Sequence, residues 1–413
     1  MDGMILIGNA GNRRTQGLQS ARLKLGLPLA LELNYLDLLR GTISLSSFIE
    51  VHRDELPENP LIRLDAPGEH FEVERELIAL GAPDAAGQED IVPPLYEHYC
   101  QPVSMKNAWK IEEQRGRIYH PSQWFRGFYR LLRRLETEAE EIWPRPSWIN
   151  APRDIAVMFD KRRTYTTLLD AGVPVPKRLG SPAEITNYET LRELMKVKRM
   201  PRVFVKLASG SGACGVIAYQ INPATGAELA VTTIAFESYT ARPPVYYNVK
   251  RLKRYTDSAT IRNIVNWLLC HGAHVEGWVA KAAIHNRAFD IRQLVVDGEA
   301  CHSVARVSST PITNLHLQSE RMGLDAVGLS NDAQHAIKRC AEAALNVFQG
   351  SRIAGIDIAV SAGAGRPFVL DVNPFGDLLY ETVYRGCTTY EWETLRLKEA
   401  SSGDGKEGSH HHE

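Results

Sequence analysis

Residues 355–376 read GIDIAVSAGAGRPFVLDVNPFG, and they give the strongest structural signal in the chain. Its two apolar runs predict short buried strands over Ile356–Val360 and Pro367–Val372. The small residues Ser361–Gly365 between them predict a turn. The stretch therefore predicts an antiparallel hairpin.

Three side chains that carry oxygen atoms lie on this hairpin. Asp371 and Asn373 are two residues apart, so they point to the same face of an extended chain. Asp357, on the first strand, can face them across the ladder. Such a cluster offers only oxygen ligands, which suits a hard cation such as Mg²⁺ that keeps waters and substrate phosphates as its other ligands. Ordinary hairpin polarity, with Asn-Pro opening a turn, explains the same residues when they are taken alone.

Length and charge indicate a protein of about two to three domains without affinity for polyanions. The chain has 413 residues, with 48 Lys and Arg against 49 Asp and Glu, so nothing in the balance suggests nucleic acid or an anionic membrane as a partner. No apolar run approaches the ~18 residues that span a bilayer. The start, MDGMILIGNAG, is typical of a first β-strand rather than of a signal peptide.

The six cysteines are scattered, without a C-x-x-C motif or paired spacing. This usage predicts reduced thiols and a cytoplasmic protein, and it argues against a structural zinc site or a disulfide framework. The polar end of the chain, SSGDGKEGSHHHE, predicts a disordered tail, which we place at residues 396–413.

From Met4 to about Asn150, strand and helix patterns alternate, which predicts a parallel sheet flanked by helices. The first loop, GNAGNRRTQG, lies between a strand and a helix, where backbone amides can hold an anion. Asn9 and Arg13 lie in this loop. Gly8 and Gly11 are three apart, so the loop lacks the spacing of a dinucleotide fingerprint. An ordinary turn with solvated arginines is equally compatible with the pattern.

The stretch RVFVKLASGSGACGVIAYQ predicts a strand that ends at Lys206, a loop of small residues, and a strand that begins at Val216. Small residues allow the backbone to close over a phosphate, and a lysine at the strand end supplies a point charge for it. We favour this interpretation over a simple flexible hairpin. Lys161, in a preceding helical segment, would by itself be a solvated lysine.

A third stretch, FDIRQLVVDGEACHSVARV, predicts two strands joined by an Asp-Gly turn. Alternation puts Asp290 and Arg292 on one face of the first strand, and Arg306 follows on the second. Two arginines that face one cavity would stabilise negative charge during phosphoryl transfer. Surface pairing of Asp290 with Arg306 is the alternative.

In this order, from about Asn150 to Trp392, the segments resemble the ATP-grasp superfamily of ATP-dependent carboxylate ligases. The nearest likeness is to glutathione synthetase and to the ligase that adds glutamates to a ribosomal protein. The resemblance implies a mixed α/β fold, with an N-terminal parallel-sheet domain on the substrate side at 1–149. An ATP-grasp domain would follow at 150–395, with a lid subdomain at about 176–274.

The resemblance also implies roles for residues. Those expected at ATP are Lys161, Lys206, Ser209, Gly210, Ser211, Gly212, Gly215, Glu276, Trp278, Val279 and Lys281, of which Glu276–Val279 would form the adenine hinge. The metal ligands would be Asp357, Asp371 and Asn373, and the catalytic residues Arg292 and Arg306. The substrate-side residues would be Asn314 and His316 of TNLH, together with Asn9 and Arg13 of the first loop.

Two positions depart from the family pattern. Asp371 stands where Glu is common, so bridging two ions would need a closer backbone. Lys281 stands where many members carry a carboxylate for the ribose, which leaves the ribose contact unassigned.

The predicted function is ATP- and Mg²⁺-dependent formation of an amide from a carboxylate and an amine through an acyl phosphate, with Mn²⁺ as an alternative metal. The substrates would be small molecules or peptides. A small-molecule kinase of the same fold and a non-catalytic nucleotide-binding protein are the alternatives. The sequence does not reveal the substrate pair or the oligomeric state.

Overall fold

The computed structural model describes residues 3–85, 100–210, 212–238, 240, 243–314, 317, 319–376 and 379–403, without the side chains of 400–403. The strands are β1 Met4–Gly8, β2 Leu31–Asn34, β3 Leu61–Leu64, β4 Arg202–Leu207, β5 Val216–Ile221, β6 Glu228–Glu237, β7 Val245–Tyr255, β8 Ala273–Gly277, β9 Ala283–Ile284, β10 Arg287–Val296, β11 Glu299–Ser308, β12 Glu320–Met322, β13 Ile353–Val360 and β14 Pro367–Asn373. The helices are α1 Arg13–Lys24, α2 Tyr35–Arg40, α3 Leu45–Val51, α4 Phe71–Leu80, α5 Met105–Ala108, α6 Pro121–Ile142, α7 Pro152–Met158, α8 Lys161–Asp170, α9 Tyr188–Val197, α10 Ser258–Cys270, α11 Asn331–Asn346 and α12 Thr389–Gly403. None of these helices is long and apolar enough to cross a membrane.

The N-terminal sheet is parallel and has the order β2-β1-β3. β1 is buried on both faces, as parallel strands usually are. Ile5 and Ile7 pack with residues of α6, such as Phe128, while Leu6 belongs to a separate core on the opposite face. Helices α4 and α6 touch closely at Gly127, where an added Cβ would lie 1.8 Å from the Leu77 carbonyl oxygen.

The C-terminal helix α12 returns to the N-terminal sheet. Trp392 and Leu397 are buried in the same core as Leu18 of α1. The predicted start of a disordered tail at residue 396 is therefore wrong, because the helix continues to Gly403 and Leu397 is 3% exposed. The remainder of the predicted tail, 404–413, lies outside the described residues.

The second sheet is antiparallel, with the order β7-β6-β5-β4-β8. One face packs against α9 and α10 through residues such as Val205, Leu191 and Ile264. The other face carries a smaller apolar cluster that includes Phe204, Val216 and Ile312. This second face is the one that borders the candidate site.

The third sheet has the order β12-β11-β10-β13-β14, with β9 paired to β10. Its β13–β14 pair is the predicted hairpin. Asp357 pairs with Asp371, and Gly355 pairs with Asn373, so the three predicted metal ligands do lie across one ladder. Asp297 and Gly298 join β10 to β11 with φ values of 52° and 76°, as expected for the predicted Asp-Gly turn.

Cys100 and Cys270 form a disulfide bond, with their Cα atoms 5.5 Å apart. The prediction that the thiols are all reduced is therefore wrong. The partners are 170 residues apart in sequence, and pairing over such a distance cannot be deduced from cysteine spacing. The bond joins the segment before α5 to the end of α10, where Ser122 Oγ also lies 2.9 Å from His271 Nδ1.

We expect removal of this disulfide, by Cys100→Ser together with Cys270→Ser, to lower the urea midpoint of unfolding. The bond restricts a long loop in the unfolded chain, and such bonds typically contribute ~2–4 kcal/mol. Cys387→Ser, which changes a free cysteine, is the control. Equal midpoints for the parent protein with and without reductant would contradict the prediction.

Candidate active site

One cavity of about 840 Å³ lies where the three sheets meet. The predicted site residues that line it are Arg13, Lys161, Lys206, Ser209, Gly210, Gly212, Glu276, Val279, Lys281, Arg292, Arg306, Asn314, Asp357, Asp371 and Asn373. Gly215, Trp278 and Asn9 do not line it. Ser211 and His316 lie outside the described residues. The fold thus brings together residues that are up to about 360 positions apart in the chain.

The two hairpin carboxylates are paired with cations. Asp371 Oδ2 lies 2.8 Å from Lys161 Nζ, which also donates to the carbonyl oxygen of Gly210 at 3.0 Å. Asp357 Oδ1 lies 2.6 Å from Arg292 Nε and 3.0 Å from a terminal nitrogen of Arg306. Burial raises the pKa of Asp357, and the two guanidinium groups offset only part of this effect. Acidic and basic side chains therefore lie together where β13 and β14 border the cavity.

Asp290 organises the neighbouring wall of the cavity. Arg306 Nε donates to its carboxylate at 2.7 Å, Lys281 Nζ lies 3.1 Å away, and the Thr313 hydroxyl also donates to it. Burial alone would raise the pKa of Asp290, but Arg306 and Lys281 lower it to about 2. The predicted pairing of Asp290 with Arg306 is present. It is buried instead of exposed, and Arg306 contacts Asp357 at the same time.

Lys206 lies deep in the cavity, 2.5 Å from Glu276 Oε1. His274 Nε2 is 3.1 Å from the other oxygen of Glu276. Burial would raise the pKa of Glu276, but Lys206 and His274 together lower it to about 2. Burial lowers the pKa of Lys206, but Glu276 and both hairpin aspartates raise it above its ordinary value, so the ammonium stays charged.

The predicted adenine hinge, Glu276–Val279, overlaps the end of β8. The Glu276 carboxylate pairs with Lys206 and His274, so backbone groups of this segment would contact the adenine base. Trp278 packs against Phe204, with ring centroids 5.2 Å apart, outside the cavity. Phe204 itself lines the cavity two residues before Lys206, a spacing that puts both side chains on one face of β4. Phe204 is not among the predicted site residues, although this spacing indicates it.

The Gly-rich loop between β4 and β5 turns sharply over the cavity. Gly212, Ala213 and Gly215 all have positive φ, at 59°, 62° and 67°. At Gly210, an added Cβ would lie 2.6 Å from the carbonyl oxygen of Cys214. Small residues are therefore required here by the backbone path, and they leave the loop free to approach a bound group.

We expect backbone amides in Ser209–Gly215 to exchange rapidly without nucleotide and to become protected when nucleotide binds, as in other loops that close over phosphates. Hydrogen exchange with and without a non-hydrolysable ATP analogue measures this. Amides in the β4–β5 ladder, such as those of Val205 and Ile217, should stay protected in both states. Unchanged exchange in the loop would indicate a simple hairpin connection.

Residues from the N-terminal part of the chain line the far end of the cavity. Arg13 lies there at the start of α1, and Arg14 donates to the carbonyl oxygen of Phe375 at 3.0 Å. Asn9 instead donates to the Pro67 and Gly68 carbonyls and is 7% exposed. Several other residues that line this end were not predicted, because no motif marks them: Glu69, His70, Phe71, Glu74, Glu113, Arg117 and Tyr119.

The hairpin fits a magnesium ion in its donor chemistry. Asp357 and Asp371 face each other across the ladder, and Asn373 follows on the same face as Asp371. Asn373 donates its side-chain amide to Gly355 O at 2.9 Å, which leaves the carbonyl oxygen of that amide as its ligand atom. The described residues contain no cluster of three or more His, Cys, Asp or Glu that could hold a metal. Waters and phosphates would therefore complete the coordination, as Mg²⁺ prefers.

We expect Lys206→Ala to weaken ATP binding more than AMP binding, because a point charge on the β- or γ-phosphate has nothing to hold in AMP. Loss of one charge-assisted contact predicts roughly 1.5 to 3 kcal/mol. Calorimetric titration with both nucleotides measures the difference, and Lys196→Ala, at an exposed lysine on α9, is the control. Equal losses for ATP and AMP would place Lys206 away from the terminal phosphates.

No protein-family model matches this chain, and no curated protein matches it. Several solved structures are similar to this chain over nearly its whole length, among them the following three. D-cycloserine synthetase DcsG is 15% identical with a TM-score of 0.51, covering 96% of this chain and 99% of its own. The ATP-grasp ligase PsnB, complexed with a phosphomimetic variant of a minimal precursor, Mg and ADP, is 13% identical with a TM-score of 0.50, covering 96% and 98%. D-alanine–D-alanine ligase from Bacillus anthracis, complexed with ATP, is 10% identical with a TM-score of 0.50, covering 99% and 100%. The chain therefore has the ATP-grasp fold, which confirms the predicted fold class.

Proposed function

We propose that this ATP-grasp chain is an ATP- and Mg²⁺-dependent ligase that joins a carboxylate to an amine through an acyl phosphate. The observation that carries the proposal is the meeting of four cations with four carboxylates in one cavity. Lys161, Lys206, Arg292 and Arg306 are the cations, and each lies within 3.0 Å of an acidic side chain. The similar structures solved with ATP, ADP and Mg support nucleotide and metal use.

Each cation has a distinct task in this proposal. Lys161 and Lys206, from α8 and β4, would bind ATP phosphates from two sides. The Gly-rich loop would cover those phosphates. Its Gly210 carbonyl oxygen accepts a hydrogen bond from Lys161, which places the loop beside that lysine. Arg292 and Arg306 would offset the repulsion between the γ-phosphoryl group and the substrate carboxylate, both of which are anions. Catalysis then rests on positioning and on charge neutralisation, and it needs no side-chain nucleophile.

Asp357, Asp371 and Asn373 would hold the metal. When bound, Mg²⁺ would neutralise phosphate charge as a Lewis acid. Lys161 and the two arginines pair with these carboxylates. A bound metal would take over the carboxylate oxygens, and the three cations would then be available to phosphate oxygens.

The end of the cavity formed by the N-terminal domain suits both substrates. Arg13 offers positive charge at the first turn of α1, where backbone amides also favour an anion. Glu69, Glu74 and Glu113 offer negative charge in the same region, which suits an ammonium group. Burial raises the pKa of Glu74, and Glu113 adds to this effect. A carboxylate and an amine can therefore both find complementary charge beside the phosphate-binding residues.

The products of turnover test the proposal against its alternatives. A metabolite and peptide screen scored by ADP release would find the substrates. A ligase gives ADP, phosphate and a new amide, whereas a kinase gives ADP and a stable phosphorylated product. A non-catalytic nucleotide-binding protein releases no ADP with any carboxylate and amine pair, and that result would contradict the proposal.

A further inference from the structure

The outer strand of the second sheet, β7, carries a dense group of positive charge. Lys250, Arg251, Lys253 and Arg254 lie within five consecutive residues and are all exposed. We call these four residues the basic strip. None of them forms an ion pair or side-chain hydrogen bond with another residue that the structure describes. The whole chain carries a net charge of −1, so this local excess of positive charge stands out from its composition.

The basic strip follows the part of β7 that pairs with residues 116–118. Ile118 N donates to Tyr246 O at 2.9 Å, and Asn248 N donates to Gly116 O at 2.7 Å. Beyond Asn248, no strand in the described ranges pairs with the outer edge of β7. Asn248 is in register with Ile234 of β6, and Lys253 is in register with Thr232, so the residues between them bulge away from β6. The strip is thus a free and irregular sheet edge.

The basic strip is continuous with the candidate active site. Asn248, Gly116 and Arg117 all line the cavity. The buried side-chain oxygen of Asn248 has no hydrogen-bond partner among the described residues, and it can therefore accept a hydrogen bond from a bound chain. At about 3.3 Å per residue, the strand carries the basic strip up to ~20 Å away from the cavity. An extended chain bound along the strip would reach the cavity directly.

We propose that the basic strip binds an acidic, extended peptide segment, so that one substrate of the ligase is part of a peptide rich in Asp and Glu. This inference rests on the proposed function, because the cavity supplies the reason for a carboxylate-bearing partner. Four unpaired cations on one strand are complementary to a run of carboxylates, and such charges steer and orient a partner. The remainder of the peptide would enter the cavity past Asn248.

The aromatic residues of β7 argue against nucleic acid as the partner. Single-stranded nucleic acid binds to basic surfaces that also present free aromatic rings to the bases. Tyr246 is instead buried against Trp267, with ring centroids 4.2 Å apart, and Tyr255 packs against the core and donates to Ile234 O. Tyr247 is partly exposed, and its hydroxyl donates to Glu237. A peptide needs no stacking platform, and the open strand edge offers it backbone partners.

Fluorescence anisotropy with a labelled peptide of alternating glutamate and threonine tests the inference. An extended peptide of about eight residues spans ~25 Å, enough to cover the basic strip. The parent protein should bind it, and Lys250→Glu with Lys253→Glu should weaken binding by about tenfold or more at low salt. Arg153→Glu with Lys196→Glu, which changes the net charge equally at exposed positions elsewhere, should change it less than about twofold.

Three results would overturn the inference. The parent protein does not bind the peptide, or the two double variants weaken binding equally, or a single-stranded oligonucleotide of equal charge binds more tightly and loses affinity with the same variants. Absence of peptide binding would also be expected if the four charges serve only to prevent unwanted strand pairing. ATP binding by the parent protein, measured separately, distinguishes failure here from failure of the proposed ligase.

Discussion

Asp371→Asn and Asn373→Ala should each lower ATP-dependent turnover by more than about a thousandfold, because a bound cation contributes several kcal/mol of charge stabilisation in the transition state. Asp371 and Asn373 end β14, beside the cavity, and are not part of an apolar core. The fold should therefore survive both changes. ADP release at saturating substrate is the measurement, with circular dichroism as the check on folding.

Asp170→Asn is the matched control. Asp170 is an exposed carboxylate at the end of α8, the helix that begins with Lys161. This variant should turn over ATP at the parent rate. Parent-like turnover in either hairpin variant would show that the metal assignment is wrong, even though the hairpin itself is present.

Arg292→Ala should slow formation of the activated carboxylate by roughly 10²–10³, the usual effect of removing one preorganised donor. ATP affinity should change far less, because in the proposed site Lys161 and Lys206 would bind the phosphates. Arg287→Ala is the control: Arg287 begins the same strand and pairs with Glu320 at 2.6 Å on the exposed surface. Single-turnover kinetics separate the chemical step from binding.

A conservative substitution is needed at Arg306 instead of truncation to alanine. It is 3% exposed and contacts both Asp290 and Asp357, so Arg306→Ala would leave buried carboxylates unpaired. Arg306→Lys keeps the charge but loses the forked geometry of the guanidinium. We expect it to slow the chemical step by about tenfold or more and to leave the fold intact. An unchanged rate in both Arg292→Ala and Arg306→Lys would remove the arginines from the mechanism.

Local pattern predicted the parts of this structure that depend on neighbouring residues. The β13–β14 hairpin follows from its two apolar runs, and the Asp-Gly turn follows from the backbone preferences of those two residues. Alternation along β10 placed Asp290 and Arg292 on the cavity side, with Ile291 in the core. Each of these predictions needed only the period of a strand and the conformation of a turn.

Features that depend on distant partners could not be predicted. Nothing near Cys100 indicates that Cys270 is its partner, and the return of α12 to α1 depends on the assembled core. The ion pair between Lys206 and Glu276 likewise requires the register of β4 with β8. At the N-terminal end of the cavity Arg13 was predicted, but residues such as Glu74 were missed because they belong to no motif and are brought together only by folding.

Trapping of an acyl phosphate would show whether the reaction passes through that intermediate. Hydroxylamine, a strong neutral nucleophile, intercepts such a mixed anhydride when the natural amine is absent. We predict that the protein, a substrate carboxylate, ATP, Mg²⁺ and hydroxylamine together yield a hydroxamate, with ADP and phosphate in equal amounts. ADP formation with an accepted carboxylate but no hydroxamate would contradict the acyl-phosphate mechanism and favour a kinase of the same fold.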